Sequence, residues 1–146
     1  MTKIEFNNLK TLVNSQERIK ESNFKAFTKD FLEMVLYFVK AEDKHQKITI
    51  LSDLFLLLFL ETNEVIDVSK VNQQINTNEK DLFLHALASL IQIIDEKKIK
   101  LSCFSLCSEI ILYIYQNGFN PYLCIKSKLE KNIINFEACK RLEVLF

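Results

Sequence analysis

The sequence predicts an all-α protein: a single compact orthogonal bundle of about five to seven helices, packed around one buried apolar helix at 48–60. Three observations predict it. The 146 residues contain one Gly and one Pro, whereas sheet folds draw on both residues at their turns. Apolar residues recur at three- and four-residue steps along most of the chain. At 49% hydrophobic with twelve Phe, the chain carries enough core material for one domain spanning 1–146, without a disulfide or metal staple.

The elements follow in order. Thr2 and Glu5 form a capping box for a first helix ending near Lys20, with Ile4, Leu9, Leu12, Val13 and Ile19 at helical spacing. Ser22 or Asn23 caps a second helix. Its stripe is Phe24, Phe27, Phe31, Val35, Phe38 and Val39, with Lys25, Lys29, Glu33 and Lys40 turned away. The polar stretch 41–47 reads as a connector. Ile48–Leu60 follows, thirteen residues of which only Thr49, Ser52 and Asp53 are polar. Its apolar side chains point all round the axis, the pattern of a helix covered on every side. Asp53 sits either on a thin wet seam or in a buried pair, since an unpaired buried carboxylate would shift its pKa.

Residues 61–78 read as a connector with a turn or two of helix. Asn78 caps the next helix, where Leu82, Phe83, Leu84, Ala86, Leu87, Leu90, Ile91, Ile93 and Ile94 fill an arc of roughly 200°. Lysines in 96–100 suit its C-terminus. A helix over Leu101–Asn117 carries the polar stripe Ser102, Ser105, Glu109 and Gln116, and Gly118 is placed to end it in the left-handed conformation. Asn120-Pro121 opens a last helix reaching to about Asn135, with Tyr122, Ile125, Leu129, Ile133 and Phe136 on its buried face. The terminal Leu142, Leu145 and Phe146 are apolar enough to tuck into a core. The hairpins 24–60 and 79–117 share no side-chain pattern, which disfavours a helical repeat.

Composition narrows function by exclusion. Net charge is zero, with 17 Lys but only Arg18 and Arg141, which argues against a nucleic-acid partner. Ile48–Leu60 is shorter than the about 20 residues a bilayer needs and contains Asp53, so no membrane span is expected. Cys103, Cys107, Cys124 and Cys139 form no CxxC and lie among apolar residues, the usage of reduced thiols in a cytoplasmic protein without disulfides. Neither a metal nor another cofactor is expected. The cysteines sit within helix faces rather than in metal-binding turns, and His45 and His85 are too few for a metalloenzyme. A small-molecule substrate is equally unexpected, because the single Gly is already used as a helix stop and no phosphate-cradling loop remains.

One constellation could carry chemistry. Asp81, His85 and Ser89 are spaced i, i+4, i+8, so one helix face could hold an acid, a base and a nucleophile. A straight helix gives such a triad no oxyanion donors, and the residues otherwise read as a solvated face with an Asp–His pair. The sequence therefore reads as a non-enzymatic protein that works by its surface. Its expected partner interface is the polar face Asp81, His85, Ser89, Gln92 and Glu96. An enzyme using Asp81 and His85 is the alternative from another class.

Two resemblances at the level of class extend this. A small helical chain without a catalytic motif and with AT-rich residue usage resembles bacterial immunity proteins. That resemblance implies a toxin domain as partner, neutralised by direct binding. A bundle around one apolar helix resembles the viral Bcl-2-like fold, which implies capture of an amphipathic helix in a groove, here along Phe24, Phe27 and Phe31. The Trp-Gly signature of that fold is missing, because the chain has no Trp and Phe119 follows its only Gly.

Overall fold

A computed structural model describes residues 3–15, 24–59, 77–96 and 100–141. The Thr2 cap, the connector at 61–76, the lysines at 97–99 and the apolar end at 142–146 lie outside the described residues. So do the side chains of Glu96 and Cys103. Among the described residues the chain is mostly helical, without strands: α1 (Lys3–Ser15), α2 (Phe24–Lys40), α3 (Lys44–Phe59), α4 (Glu79–Glu96), α5 (Lys100–Gln116) and α6 (Pro121–Leu129). All six pack against one another.

Their contacts form a ring. Helix α2 touches α3 and α4, and α5 touches the same two, so α3 and α4 occupy opposite corners. Helix α6 packs on the outer side of α3, and α1 packs on α6, burying Leu9. This explains why α3 can be apolar nearly all round its axis. It is covered by the ring on one side and by α6 on the other, and Ile48, Leu51, Leu54, Phe55, Leu58 and Phe59 are all buried. Ile50, Leu56 and Leu57 are only partly covered but still pack against the core. Its two hydroxyls donate to the helix's own backbone, Ser52 to the Ile48 carbonyl and Thr49 to the His45 carbonyl, both at 2.8 Å.

Several helix ends depart from the sequence reading, each for a local reason. Helix α3 begins at Lys44, so the connector shrinks to 41–43. The Asp43 carboxylate accepts the Gln46 N–H at 2.8 Å, and the Gln46 side chain accepts the Glu42 N–H at 3.1 Å, a reciprocal cap of residues that looked only polar. Asn78 does cap α4, accepting the Asp81 N–H at 2.8 Å. Gly118, at φ +93°, does end α5, and the Phe119 N–H reaches back to the Ile114 carbonyl at 3.2 Å.

Helix α6 is capped by Asn120 as expected but stops at Leu129, short of Asn135. Lys131 adopts a left-handed conformation (φ 60°) and the Asn132 N–H bonds the Ser127 carbonyl at 2.9 Å, which turns the chain out. Ile133 is consequently 96% exposed instead of buried. The chain then returns alongside the α5–α6 turn, where the Asn120 N–H meets the Cys139 carbonyl at 2.7 Å. Phe136 stacks on His45 with ring centroids 4.0 Å apart, and Phe119 meets both rings edge-on. His45, in the first turn of α3, is thus part of an aromatic clasp.

Candidate functional site

The polar residues of the bundle converge on the seam between α4 and α5. His85 pairs through Nδ1 with the Glu109 carboxylate, and the Ser105 hydroxyl lies 3.2 Å from His85 Nε2. Thr77 closes the seam, donating its hydroxyl to Glu109 at 2.9 Å and its N–H to the Gln116 side chain at 3.0 Å. Burial pushes the Glu109 carboxyl up, but hydrogen bonds from His85 and Thr77 and the nearby imidazole outweigh it and hold the group below its ordinary value.

A second knot sits at one end of the ring. Glu79 accepts the Lys47 ammonium at 2.6 Å and the Tyr113 hydroxyl at 3.0 Å, while Lys47 lies 5.5 Å over the Phe38 ring. The Lys47 hydrogen bond, aided by Tyr113 and against some burial, lowers the Glu79 pKa. Burial and the Glu79 charge push the Tyr113 phenol well up. The end of α2, the starts of α3 and α4 and the end of α5 are tied together here.

Serine, histidine and carboxylate in this order resemble a nucleophile–base–acid relay, yet the partners are not those the α4 spacing suggested. Asp81 is exposed and engaged with the Asn78 cap, accepting its side-chain N–H at 2.8 Å. Ser89 is only 4% exposed, on the inner side of α4. Gln92 is exposed, and His85 is half-buried and turned toward α5. Of the residues expected to form one polar partner face, Asp81 and Gln92 are exposed, while Ser89 points inward and His85 faces another helix; the Glu96 side chain lies outside the described residues. The acid and hydroxyl that meet His85 are the i, i+4 pair Ser105 and Glu109, both visible in the α5 polar stripe. Only the docking of α5 on α4 brings them to the histidine.

This seam clamps two helices. Ser105 lies inside α5, where backbone N–H groups are bonded to carbonyls four residues back and offer no donors to a developing oxyanion. A nearby cleft of about 410 Å³ is lined by Thr77, Asn78, Glu79, Lys80, Tyr113 and Asn117, and neither His85 nor Ser105 reaches it.

Asp53 resolves as an edge pair. Its half-buried carboxylate lies 3.5 Å from Lys128 on α6; burial pushes its pKa up and the ammonium offsets only part of that. Cys107, Cys124 and Cys139 are buried and not disulfide-bonded. Burial and the adjacent Cys139 thiol push Cys124 up to about 12, so it stays protonated. Among the described residues, no group of three or more His, Cys, Asp or Glu converges to hold a metal ion, and no helix is long and apolar enough to cross a membrane.

The remaining candidate is an apolar face on the outside of the α2–α4 border. Leu32, Leu36 and Val39 on α2 and Leu84, Ile91 and Ile94 on α4 are each between 43% and 59% exposed, with Leu87 half-buried among them. The neighbours of each helix show that both sets flank the same border. Tyr37 of α2 lines a cleft with His45, Gln46, Thr49 and Ile50 of α3, so the opposite flank, with Leu32, Leu36 and Val39, borders α4. His85 turns to α5, so the opposite flank of α4, with Leu84, Leu87, Ile91 and Ile94, borders α2. Among the described residues, α4 has no outer layer of the kind that α6 gives α3, and its aliphatic arc is wider than α2 and α5 cover. The aromatic stripe of α2 is not part of this face: Phe27 and Phe31 are buried, in an edge-to-face pair at 6.2 Å.

Compared with models of protein families, with curated proteins and with solved structures, the chain matches none.

Proposed function

We propose that this chain is a non-enzymatic interaction protein whose working surface is the α2–α4 face. The observation that carries the reading is the cluster of six half-exposed aliphatic side chains on one side of the bundle. Scattered apolar residues are normal on a surface, but a contiguous patch of several hundred Å² marks an interaction site. The charges at its edges define what fits. Lys25, Lys29 and Lys40 lie on the α2 side, and Lys80 and Asp95 at the two ends of the α4 side, all exposed. The complementary partner is a protein surface with an apolar stripe and acidic side chains toward α2. Covering a toxin domain, as an immunity-type protein does, is one role such a surface serves. The buried thiols fit the cytoplasmic setting expected for it.

The test compares purifications from the native host using the wild type, a Leu36→Glu/Ile91→Glu variant and an Asp81→Lys/Gln92→Lys variant. Quantitative mass spectrometry is expected to find a stoichiometric protein with the wild type and the second variant but not with the first. Loss of that protein only with the Asp81/Gln92 variant would return the interface to the polar side and refute the reading.

A further inference from the structure

We propose that Cys124 and Cys139 form a reversible oxidation site, in which hydrogen peroxide joins the two thiols in a disulfide that staples the segment after α6 to the start of that helix. The pair lies outside the α2–α4 border, so the proposal stands apart from that working surface.

The fold brings these sulfurs together from fifteen residues apart. The Asn120 N–H donates to the Cys139 carbonyl at 2.7 Å, and the Cys124 N–H donates to the Asn120 carbonyl at 3.1 Å, so one residue bonds the backbone of both cysteines. The antiparallel bridge between Phe119 and Lys140 and the Arg141 N–H bond to the Gly118 carbonyl, at 2.9 Å, hold the register. Within that frame the two thiols are hydrogen-bonded to each other, with Cys124 fully covered. Sulfurs already in contact need only a small adjustment of their side-chain torsions to reach the about 2.05 Å of a disulfide.

Access differs between the two. Cys139 forms part of the wall of an open cleft of about 600 Å³, together with Ser127, Asn132 and Ala138, and Cys124 does not. A molecule the size of hydrogen peroxide therefore meets Cys139 first. Its Sγ attacks one peroxide oxygen, the O–O bond breaks, and the other oxygen leaves as water with the thiol proton. The sulfenic acid so formed sits against Cys124. Cys124 Sγ displaces its hydroxyl, which leaves as a second water with the Cys124 proton, and the S–S bond closes. The two thiols give up two electrons and the peroxide takes them. Burial keeps Cys124 protonated and slows this second step, but the sulfurs are held together and need no encounter. A reducing compartment returns the pair to thiols, so the staple marks oxidising conditions.

The experiment incubates the folded full chain with hydrogen peroxide, alkylates the remaining thiols and maps the digest by mass spectrometry without reduction. Cys103, Cys107 and Cys124 share the tryptic peptide 101–126, so fragmentation assigns the partner of Cys139 within it. Thermal melting by circular dichroism follows for the oxidised wild type, the same sample after dithiothreitol, and a Cys139→Ala variant given peroxide. A Cys124–Cys139 link is expected. It should raise Tm by about 9 °C for a closed loop of this length, with the rise reversed by dithiothreitol and absent from Cys139→Ala. If Cys139→Ala does not fold, the wild-type map and its reversible melting shift decide alone. A Cys139 that remains alkylatable or ends as a sulfinic acid overturns the proposal. So does a link to Cys103 or Cys107, a link formed only in urea, or a Cys124–Cys139 link that leaves Tm unchanged.

Discussion

If the α4–α5 seam is a clamp, its strength and pH dependence both follow from Glu109. Replacing Glu109 by Gln keeps the shape but removes the charge and one of the two acceptors used by His85 and Thr77. An amide oxygen can serve one donor, and the amide nitrogen then faces the other. A hydrogen bond to a charged group contributes about 1.5–3 kcal/mol and a neutral one about 1. Both side chains of the pair retain some solvent contact, at 28% and 19% exposure, so the lower part of the range applies. The variant is expected to lose about 1–2 kcal/mol, which for a chain of this size lowers Tm by roughly 3–6 °C.

The sign with pH is also determined. Glu109 titrates in the folded protein below its ordinary value. Its stabilisation is therefore fully present above the unfolded carboxylate pKa of about 4.3 and is lost as pH falls through the lower folded value. Urea unfolding followed by circular dichroism at about pH 7 and about pH 3 measures both effects. Near-equal stability of variant and wild type at neutral pH would refute the clamp, and so would a deficit that persists unchanged in acid.

Two further outcomes probe the core and the α3 edge. Phe55→Ala removes a fully buried ring stacked on Phe59 at 5.5 Å and is expected to cost about 3–5 kcal/mol, measured by the same unfolding assay. A cost below about 1 kcal/mol would mean that α3 is not the centre of the fold. Asp53 has a raised folded pKa, so its charge works against folding above that value, and protonation relieves the penalty. The stability of Asp53→Asn relative to wild type should therefore be more favourable at neutral pH than in acid; the opposite trend would contradict the burial of that carboxylate.

The sequence by itself determined the helical class and most helix boundaries, because periodicity, Asn78, Asn120-Pro121 and Gly118 act within a few residues of chain. Local chemistry also explains where that reading slipped. The Asp43–Gln46 cap lengthens α3 by four residues, and a left-handed Lys131 ends α6 early and leaves Ile133 in solvent. The partners of His85 were beyond reach for a different reason. Ser105 and Glu109 are twenty and twenty-four residues away, and Asp81 and Ser89 satisfied the same spacing rule on α4 itself. Only the docking of α5 selected between them. The apolar arcs of α3 and α4 likewise look alike as sequences, yet α3 is covered by α6 and α4 is not. A helix's pattern shows how much apolar surface it has, while the number of neighbours that cover it belongs to the tertiary packing, and that packing left the α2–α4 face open.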